Sequence, residues 1–136
     1  RMDIIAGTGT YNTAESVELS KRAEEVGVDG LMAVTPYYSK PPQEGIYRHF
    51  RAIAEATELP LMLYNIPGRT ARLIEIDTLV QLADVPRIVA VKDAVDDIEF
   101  TRKQLAAVPD DFAVYSGSDH MTLEVIRAGG VGVVSV

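Results

Sequence analysis

The sequence predicts an α/β fold in which short parallel strands alternate with amphipathic helices. Six apolar runs, rich in Val, Ile, Leu or Ala, lie at residues 3–6, 30–34, 61–64, 88–92, 113–115 and 131–136. Near-continuous apolar runs of this length are typical of strands that are buried on both faces. The five stretches between the runs carry apolar residues at helical spacing. Strict alternation of strand and helix either closes a barrel or forms a doubly wound sheet.

Boundary signals support each predicted helix. Asn12 with Glu15 three residues later resembles a capping box, so the first helix is predicted to begin there and to end at Gly27. The second helix opens at Pro41-Pro42-Gln43 because proline is favoured in a first helical turn. Shorter helices are predicted over residues 77–82, 98–108 and 119–128, and Gly129-Gly130 closes the last of them.

The predicted elements form one unit without a linker or a low-complexity segment. Six strands are two fewer than an eight-stranded α/β barrel has, and such a barrel typically needs about 250 residues. The chain has 136 residues, and its first and last residues adjoin apolar runs. Residues 1–136 are therefore expected to be a single domain that is incomplete at both ends.

Composition excludes several classes of function. The net charge is −7, with 20 acidic against 13 basic residues and no basic run, which argues against a nucleic-acid partner. No apolar stretch approaches the roughly 18 residues that a membrane span needs. The chain has no cysteine, which excludes disulfides and thiolate chemistry. His49 and His120 stand apart and give no metal-ligand spacing, so no metal is expected. The cytoplasm is the expected compartment.

Lys92 is the most distinctive candidate for chemistry. It ends the apolar run Ile88-Val89-Ala90-Val91-Lys92, whereas Lys21, Lys40 and Lys103 lie in predicted helices or a loop. Alternation along a strand is expected to place Ile88, Ala90 and Lys92 on one face. Burial among apolar neighbours disfavours the charged form of an amine, and the neutral amine attacks carbonyls. The alternative is a strand-end lysine that reaches solvent and pairs with Asp93.

Further polar side chains at or just after strand ends could join such a site. Tyr64 ends the preceding strand and could pass protons, or it could simply plug a barrel mouth. A turn at Ile66-Pro67-Gly68 presents Arg69, whose guanidinium suits a carboxylate but could equally be a solvated surface group. Tyr37-Tyr38 follows another strand, and adjacent tyrosines in a loop often pack at interfaces. Gly7-Thr8-Gly9 lacks the third glycine of a dinucleotide fingerprint and is weak support for nucleotide binding.

Taken in order, these segments resemble the dihydrodipicolinate synthase and N-acetylneuraminate lyase family. The resemblance spans the whole chain, and the ordered set of motifs is far more specific than any one of them. The matching segments are Ala6-Gly7-Thr8-Gly9, Val34-Thr35-Pro36-Tyr37-Tyr38, Gln43-Glu44-Gly45-Ile46-Tyr47-Arg48-His49-Phe50, Leu63-Tyr64-Asn65-Ile66-Pro67-Gly68-Arg69-Thr70, Val91-Lys92-Asp93-Ala94, Tyr115-Ser116-Gly117 and Gly132-Val133-Val134-Ser135-Val136. The family implies a (β/α)₈ TIM barrel, of which this chain resembles the third to eighth strands.

The resemblance also implies roles for individual residues. Lys92 matches the lysine that forms an imine with pyruvate, and Tyr64 matches the proton-transfer tyrosine beside it. Tyr38 matches the tyrosine that reaches into a neighbouring subunit's site. Arg69 matches the arginine that receives the carboxylate of the aldehyde substrate. The pyruvate pocket is implied to include two further residues, Gly117 and Val134.

The implied reaction is a class I, Schiff-base condensation of pyruvate with L-aspartate-4-semialdehyde. It would give 4-hydroxy-tetrahydrodipicolinate on the lysine pathway, without a metal or organic cofactor, in a homotetramer of the full-length protein. Two alternatives stay open at this point. Another aldolase of the family, acting on sialic acid or 2-keto-3-deoxy sugar acids, would share Lys92 and Tyr64, although Arg69 after Pro67-Gly68 favours the synthase. An inactive barrel fragment would share them too.

The sequence departs from the family pattern in two loops, and a third loop of the family is absent from it. Asp93-Ala94-Val95-Asp96 replaces a commoner Glu-Ala-Thr-Gly, and Ser118-Asp119 replaces a commoner Asp-Asp. The family's Gly-Thr-Thr-Gly-Glu loop, whose threonines bind pyruvate and complete the proton relay, is not in the chain. We therefore expect the 136 residues alone to lack turnover, and their exposed sheet edges to favour self-association.

Overall fold

Strands and helices alternate along the described chain, as the sequence predicts, except that two helices follow the third strand. The computed structural model describes residues 1–135. Its strands are β1 (Ile5–Gly7), β2 (Gly30–Val34), β3 (Leu61–Asn65), β4 (Ile88–Asp93), β5 (Ala113–Ser116) and β6 (Gly132–Val133). Its helices are α1 (Thr13–Glu25), α2 (Gln43–Glu55), α3 (Pro67–Thr70), α4 (Ile76–Ala83), α5 (Ile98–Ala107) and α6 (Thr122–Ala128), the last preceded by a 3₁₀ turn at Asp119–Met121.

The six strands form one parallel sheet in the order β1-β2-β3-β4-β5-β6. Each strand lies beside the next one in sequence, whereas a doubly wound sheet reverses its strand order at a switch point. Sequential order with a helix after each strand is the arrangement of a (β/α)₈ barrel wall. The predicted partial barrel is therefore confirmed. β1 and β6 are its two edge strands.

The main apolar core lies between the outer face of the sheet and the helices. Its fully buried members contribute the hydrophobic term that holds each helix on the strands, at roughly 25 cal/mol per Å² of apolar surface removed from water. On the sheet they are Leu31, Ala33, Leu61, Leu63, Val91 and Val114, and on the helices they include Ile46, Phe50, Ile53, Leu79 and Leu82. The helix residues recur at three- and four-residue spacing, which explains why α2 and α4 form where the sequence predicts them.

A β-bulge in β4 overturns one expectation about Lys92. Leu61 pairs with Ile88, but the next residue of β3, Met62, pairs with Ala90. The extra residue, Val89, shifts the alternation by one. Ile88 consequently joins the helix-side core, whereas Ala90 and Lys92 face the inside of the barrel. The prediction that Ile88 shares a face with Lys92 is wrong, and the prediction for Ala90 is confirmed.

The helix boundaries follow the predicted signals with small differences. Asn12 caps α1 by accepting a hydrogen bond from the backbone N–H of Glu15 at 3.1 Å. The capping box is only half formed, because the N–H of Asn12 donates to Thr10 instead of to Glu15. Gly27 adopts a φ of 85° after α1, and Gly129 a φ of 120° after α6, which are backbone conformations that favour glycine.

Three boundaries differ from the sequence prediction. The turn at Pro67 is a short helix, α3, because proline favours a first helical turn. The helix predicted over residues 119–128 divides into a 3₁₀ turn and α6. Strand β6 covers only part of the run predicted over residues 131–136, and Val136 lies outside the described residues. Among the described residues, no helix is long and apolar enough to cross a membrane.

Candidate active site at the carboxyl ends of the strands

The register of the sheet brings the candidate residues to one level inside the barrel. Val34 pairs with Tyr64, Tyr64 with Lys92, and Lys92 with Tyr115. Paired residues of parallel strands project from the same face, so these four side chains form one inward-facing row. The row stands at the carboxyl ends of the strands, which is where barrel enzymes carry out their chemistry.

Lys92 is buried and lies against Tyr64. Its side chain is 3% exposed, and its Nζ stands 4.2 Å from the centroid of the Tyr64 ring. At this distance the ring face packs against the end of the lysine side chain and restricts its position. Within residues 1–135, Lys92 takes part in no salt bridge. The amine therefore remains available to a ligand.

The alternative in which Lys92 reaches solvent and pairs with Asp93 is wrong. Neighbouring residues of a strand face opposite sides, and Asp93 points towards the helices. Its carboxylate accepts hydrogen bonds from Thr101 Oγ1 at 2.6 Å and from the N–H of Val95 at 3.0 Å. Burial raises the pKa of Asp93, whereas the hydrogen bonds from Thr101, Val95 and Gln104 act in the opposite direction.

Gly117 leaves room for the Lys92 side chain. A Cβ at position 117 would lie 3.0 Å from both Cε and Cγ of Lys92, and 2.9 Å from the Cβ of Ala94. Carbon atoms pack favourably at about 3.5–4.0 Å, so any side chain here would displace its neighbours. Gly117 N–H donates to the carbonyl of Asp93 at 2.7 Å, which fixes its position beside β4. A glycine here is therefore required by the packing around the lysine.

A cavity of about 570 Å³ opens next to Lys92 at the carboxyl ends of the strands. Tyr64 and Gly117, which both lie against the Lys92 side chain, belong to its wall. Arg69 on α3 lies at its exposed rim, as the sequence predicts, together with acidic and hydroxyl groups. The full lining is Tyr64, Ile66, Gly68, Arg69, Ala94, Asp96, Gly117, Ser118, Asp119 and His120. A phenol and a guanidinium in the wall of this cavity, with the Lys92 amine against the phenol ring, suit a carbonyl substrate that carries a carboxylate.

Lys92 itself is not among the residues of the cavity wall, and two further candidate residues lie away from the cavity. Tyr38 is 87% exposed in the loop after β2, and its ring centroid lies 6.4 Å from that of Tyr11. Tyr38 has a φ of 65°, a conformation that non-glycine residues seldom adopt. Val134 follows β6, where its N–H donates to the carbonyl of Ser116 at 2.9 Å. Neither residue is part of the cavity wall.

Sequence reasoning missed the acidic and imidazole groups at the rim. Asp97 is the N-cap of α5, and the preceding residue, Asp96, has a different role. Asp96 instead lines the cavity with a φ of 61°, and its Oδ1 stands 3.9 Å from Nε2 of His120. The available signal was the departure at this position, where the family more commonly has glycine. In the described part of the chain, no three acidic or imidazole side chains converge as a metal site would require.

Comparison with known proteins finds relatives that are named as synthases of one kind. A 4-hydroxy-tetrahydrodipicolinate synthase of Bacillus velezensis is 55% identical over the whole chain, which covers 47% of that protein. A solved dihydrodipicolinate synthase from Bacillus anthracis is 53% identical with a TM-score of 0.98, over 100% of this chain and 47% of that one. A chloride-inhibited dihydrodipicolinate synthase of Acinetobacter baumannii, solved in complex with pyruvate, is 49% identical with a TM-score of 0.97, over 100% of this chain and 47% of that one.

The chain thus spans about half the length of the relatives it matches, and the matched structures share its fold throughout the described residues. The model of the dihydrodipicolinate synthetase family matches residues 1–136, the entire sequence. A match of this extent, together with identities near one half, leaves a single family assignment. The chain belongs to the dihydrodipicolinate synthetase family.

Proposed function

We propose that the full-length protein containing this chain is a 4-hydroxy-tetrahydrodipicolinate synthase. In this reaction pyruvate condenses with L-aspartate-4-semialdehyde on the pathway to lysine. The observation that carries the proposal is the buried Lys92 amine, 4.2 Å from the Tyr64 ring and beside a cavity of about 570 Å³. The relatives named above support the choice of reaction, and the pyruvate complex of the Acinetobacter baumannii enzyme supports the first substrate.

Lys92 is the proposed nucleophile. Its neutral amine adds to the ketone carbon of pyruvate, and the resulting carbinolamine loses water to give an imine. The protonated imine nitrogen accepts electrons when the methyl group of pyruvate loses a proton, which gives an enamine. The lysine itself is thus the electron sink, and we propose that no cofactor is needed. The Tyr64 hydroxyl, on the neighbouring strand at the same level, is proposed to transfer protons during addition and loss of water.

The second half of the reaction uses the rim of the cavity. The enamine carbon attacks the aldehyde carbon of the semialdehyde and forms the new C–C bond. The amino group of the semialdehyde then adds to the imine carbon, closes the ring and releases Lys92. Arg69 is proposed to hold the carboxylate of the semialdehyde, because a guanidinium at the rim of this cavity can form two parallel hydrogen bonds with it.

The remaining candidates complete the proposal. We propose that Gly117 and Val134 border the pyruvate pocket and that Tyr38 reaches into a neighbouring subunit's site. The exposure of Tyr38 and its contacts with the ring of Tyr11 support an interface at this loop. The proposed assembly is a homotetramer, and the proposed compartment is the cytoplasm, as befits an enzyme that makes a small biosynthetic precursor.

The experiment is a turnover assay of the full-length protein with pyruvate and a panel of aldehydes. We expect product from L-aspartate-4-semialdehyde, abolished by Lys92→Ala and retained in Lys103→Ala, because Lys103 is exposed on α5. Turnover with sugar aldehydes but not with the semialdehyde would replace the synthase with another aldolase of the family. Absence of turnover with every aldehyde would reject the proposal.

A further inference from the structure

The strand ends carry a second row of polar residues, on the face opposite the candidate site. Each of the four central strands is followed or ended by a buried polar residue that faces the helices. These residues are Thr35, Asn65, Asp93 and Ser116, and all are 5% exposed or less. Asn65 pairs with Asp93, and Asp93 with Ser116, so they lie at one level. We call these four residues the outer polar row.

Members of the outer polar row tie the strand ends to the segments that follow. Thr35 Oγ1 donates to the carbonyl of Tyr64 at 3.1 Å, which joins β2 to β3. Asn65 Oδ1 accepts from the N–H of Ile74 at 3.0 Å, and its Nδ2 donates to the carbonyl of the same residue at 3.3 Å. Ser116 Oγ donates to the carbonyl of Ser118 at 2.8 Å. Each inward-facing residue is therefore followed by a side chain that fixes its own strand end.

Asp93 is the only charged member of the row and follows Lys92 directly. Its Oδ2 accepts hydrogen bonds from Thr101 Oγ1 at 2.6 Å and from Nε2 of Gln104, and both donors lie on α5. Its Oδ1 accepts from the N–H of Val95 at 3.0 Å. Thr101 is 2% exposed and Gln104 is completely buried. Three donors on two segments thus converge on one buried carboxyl group.

A buried carboxylate needs such partners, because losing hydration without them is costly. An apolar residue would fill this space at no such cost but would hold the strand end in no particular position. Consecutive Cα atoms are about 3.8 Å apart, so fixing Asp93 on α5 also fixes the backbone of Lys92. The Lys92 side chain has little room to move. Its Cγ and Cε lie 3.0 Å from the point that a Cβ at residue 117 would occupy, and its Nζ lies 4.2 Å from the Tyr64 ring centroid.

We propose that Asp93 is a positioning residue for Lys92, and that its hydrogen bonds from Thr101 and Gln104 hold the end of β4 on α5. This inference rests on the proposed function, because it assigns a task to the imine-forming lysine. The Asp93 carboxyl group faces α5, and Asp93 is not part of the cavity wall. Its effect on the reaction passes through the backbone of β4, which sets the distance and angle at which the amine meets the pyruvate ketone.

The test uses two substitutions of Thr101 in the full-length protein. Thr101→Val keeps the shape of the side chain and removes the hydroxyl, whereas Thr101→Ser keeps the hydroxyl. Ser20→Ala is the matched control, because Ser20 is buried on α1, away from β4 and α5 in the order of elements, and donates to Thr8 Oγ1 at 2.9 Å. For each variant, the thermal midpoint and the rate of borohydride-trapped imine formation with pyruvate are measured.

We expect Thr101→Val to lower the trapping rate about tenfold, since a misplacement of about 1 Å can cost up to 10²-fold. Thr101→Ser should trap imine within about twofold of the wild-type rate, because the serine hydroxyl can still donate to Asp93. Ser20→Ala should lower the thermal midpoint while leaving the trapping rate unchanged. If Thr101→Val does not fold, Gln104→Met, which removes the second donor on α5, is measured in the same way and should lower the rate as well.

Two results would overturn the inference, and only the second would also reject the proposed function. If Thr101→Val lowers the midpoint as Ser20→Ala does but traps imine at the wild-type rate, Asp93 is merely structural and the proposed function stands. If the wild-type protein traps no imine, the proposed function fails and the positioning role fails with it.

Discussion

Replacing Gly117 with alanine should impair the Lys92 amine more than it impairs the fold. The new Cβ would lie 2.9 Å from the Cβ of Ala94 and 3.0 Å from Cγ and Cε of Lys92. These separations fall about 0.5–1 Å short of a favourable carbon–carbon contact. The Cβ of Ala94 is attached directly to a backbone whose N–H donates to the carbonyl of Asn65 at 2.9 Å. The lysine stem is therefore the part that moves.

The magnitude follows from the size of this displacement. Overpacking a buried position costs about 1–3 kcal/mol of stability, which a full-length barrel should survive. A shift of about 1 Å in a reacting group can reduce the rate by up to about 10²-fold. We therefore expect Gly117→Ala to slow imine trapping with pyruvate by about 10- to 100-fold. The pyruvate KM and the trapping rate are measured together with the free energy of unfolding.

Gly68→Ala is the matched control for this prediction. Gly68 lines the same cavity, but no atom lies within 4 Å of its Cβ position. It stands in α3, where alanine is favoured over glycine by up to about 1 kcal/mol. This variant should trap imine at the wild-type rate. If Gly117→Ala also traps imine at the wild-type rate, the reasoning is refuted. That result would show that the position of the lysine side chain does not depend on the absence of a side chain at residue 117.

Three further predictions concern the rim, the proton relay and a buried histidine. Arg69→Ala should raise the KM for aspartate semialdehyde by about 30- to 150-fold, from a lost charged contact of about 2–3 kcal/mol, and steady-state kinetics showing an equal effect on pyruvate would mark a structural arginine. Tyr64→Phe keeps the ring beside Lys92 and removes the hydroxyl, so kcat should fall at least about 10²-fold while pyruvate still binds; unchanged kcat would exclude the proton-transfer role. Burial lowers the pKa of His49 from 6.5 to about 4, so the unfolded chain binds the proton more tightly and stability is lost as the pH falls through this window. The loss approaches about 3 kcal/mol, and denaturant unfolding of His49→Leu should show a flatter pH dependence than the wild type between pH 7 and 4.

The order and type of the main elements could be predicted because periodicity reports burial directly. Leu61, Leu63 and Val91 face a helix-side core, and the stripe of α2 that includes Ile46 and Phe50 covers it. Local signals also located the ends of α1, where Asn12 and Gly27 have the expected roles. These features depend on residues that are close in sequence.

The bulge in β4 could not be predicted, because it arises from pairing with β3. Val89 is as apolar as its neighbours, and only the register between Leu61–Met62 and Ile88–Ala90 shows that it is the extra residue. The same limit applies to Asp93. The sequence suggested an ion pair with the adjacent lysine, whereas the partners of Asp93 lie on α5, eight and eleven residues further along the chain.

The candidate site was predictable in part. Strand-end position indicated Lys92 and Tyr64, and the register then placed them side by side. The packing requirement at Gly117 was invisible in the sequence, because it depends on how closely β5 approaches the lysine stem. Asp96 and His120 were interpreted separately, and only the folding of two loops over one cavity brings them to 3.9 Å.

The most direct test of the account is the chemical identity of the residue that pyruvate modifies. The full-length protein is incubated with pyruvate and borohydride, digested, and mapped by mass spectrometry. Reduction of the imine should add the pyruvate-derived group to Lys92 alone, and Lys92→Ala should remain unlabelled. Label on Lys21, Lys40 or Lys103 in place of Lys92 would contradict the central claim.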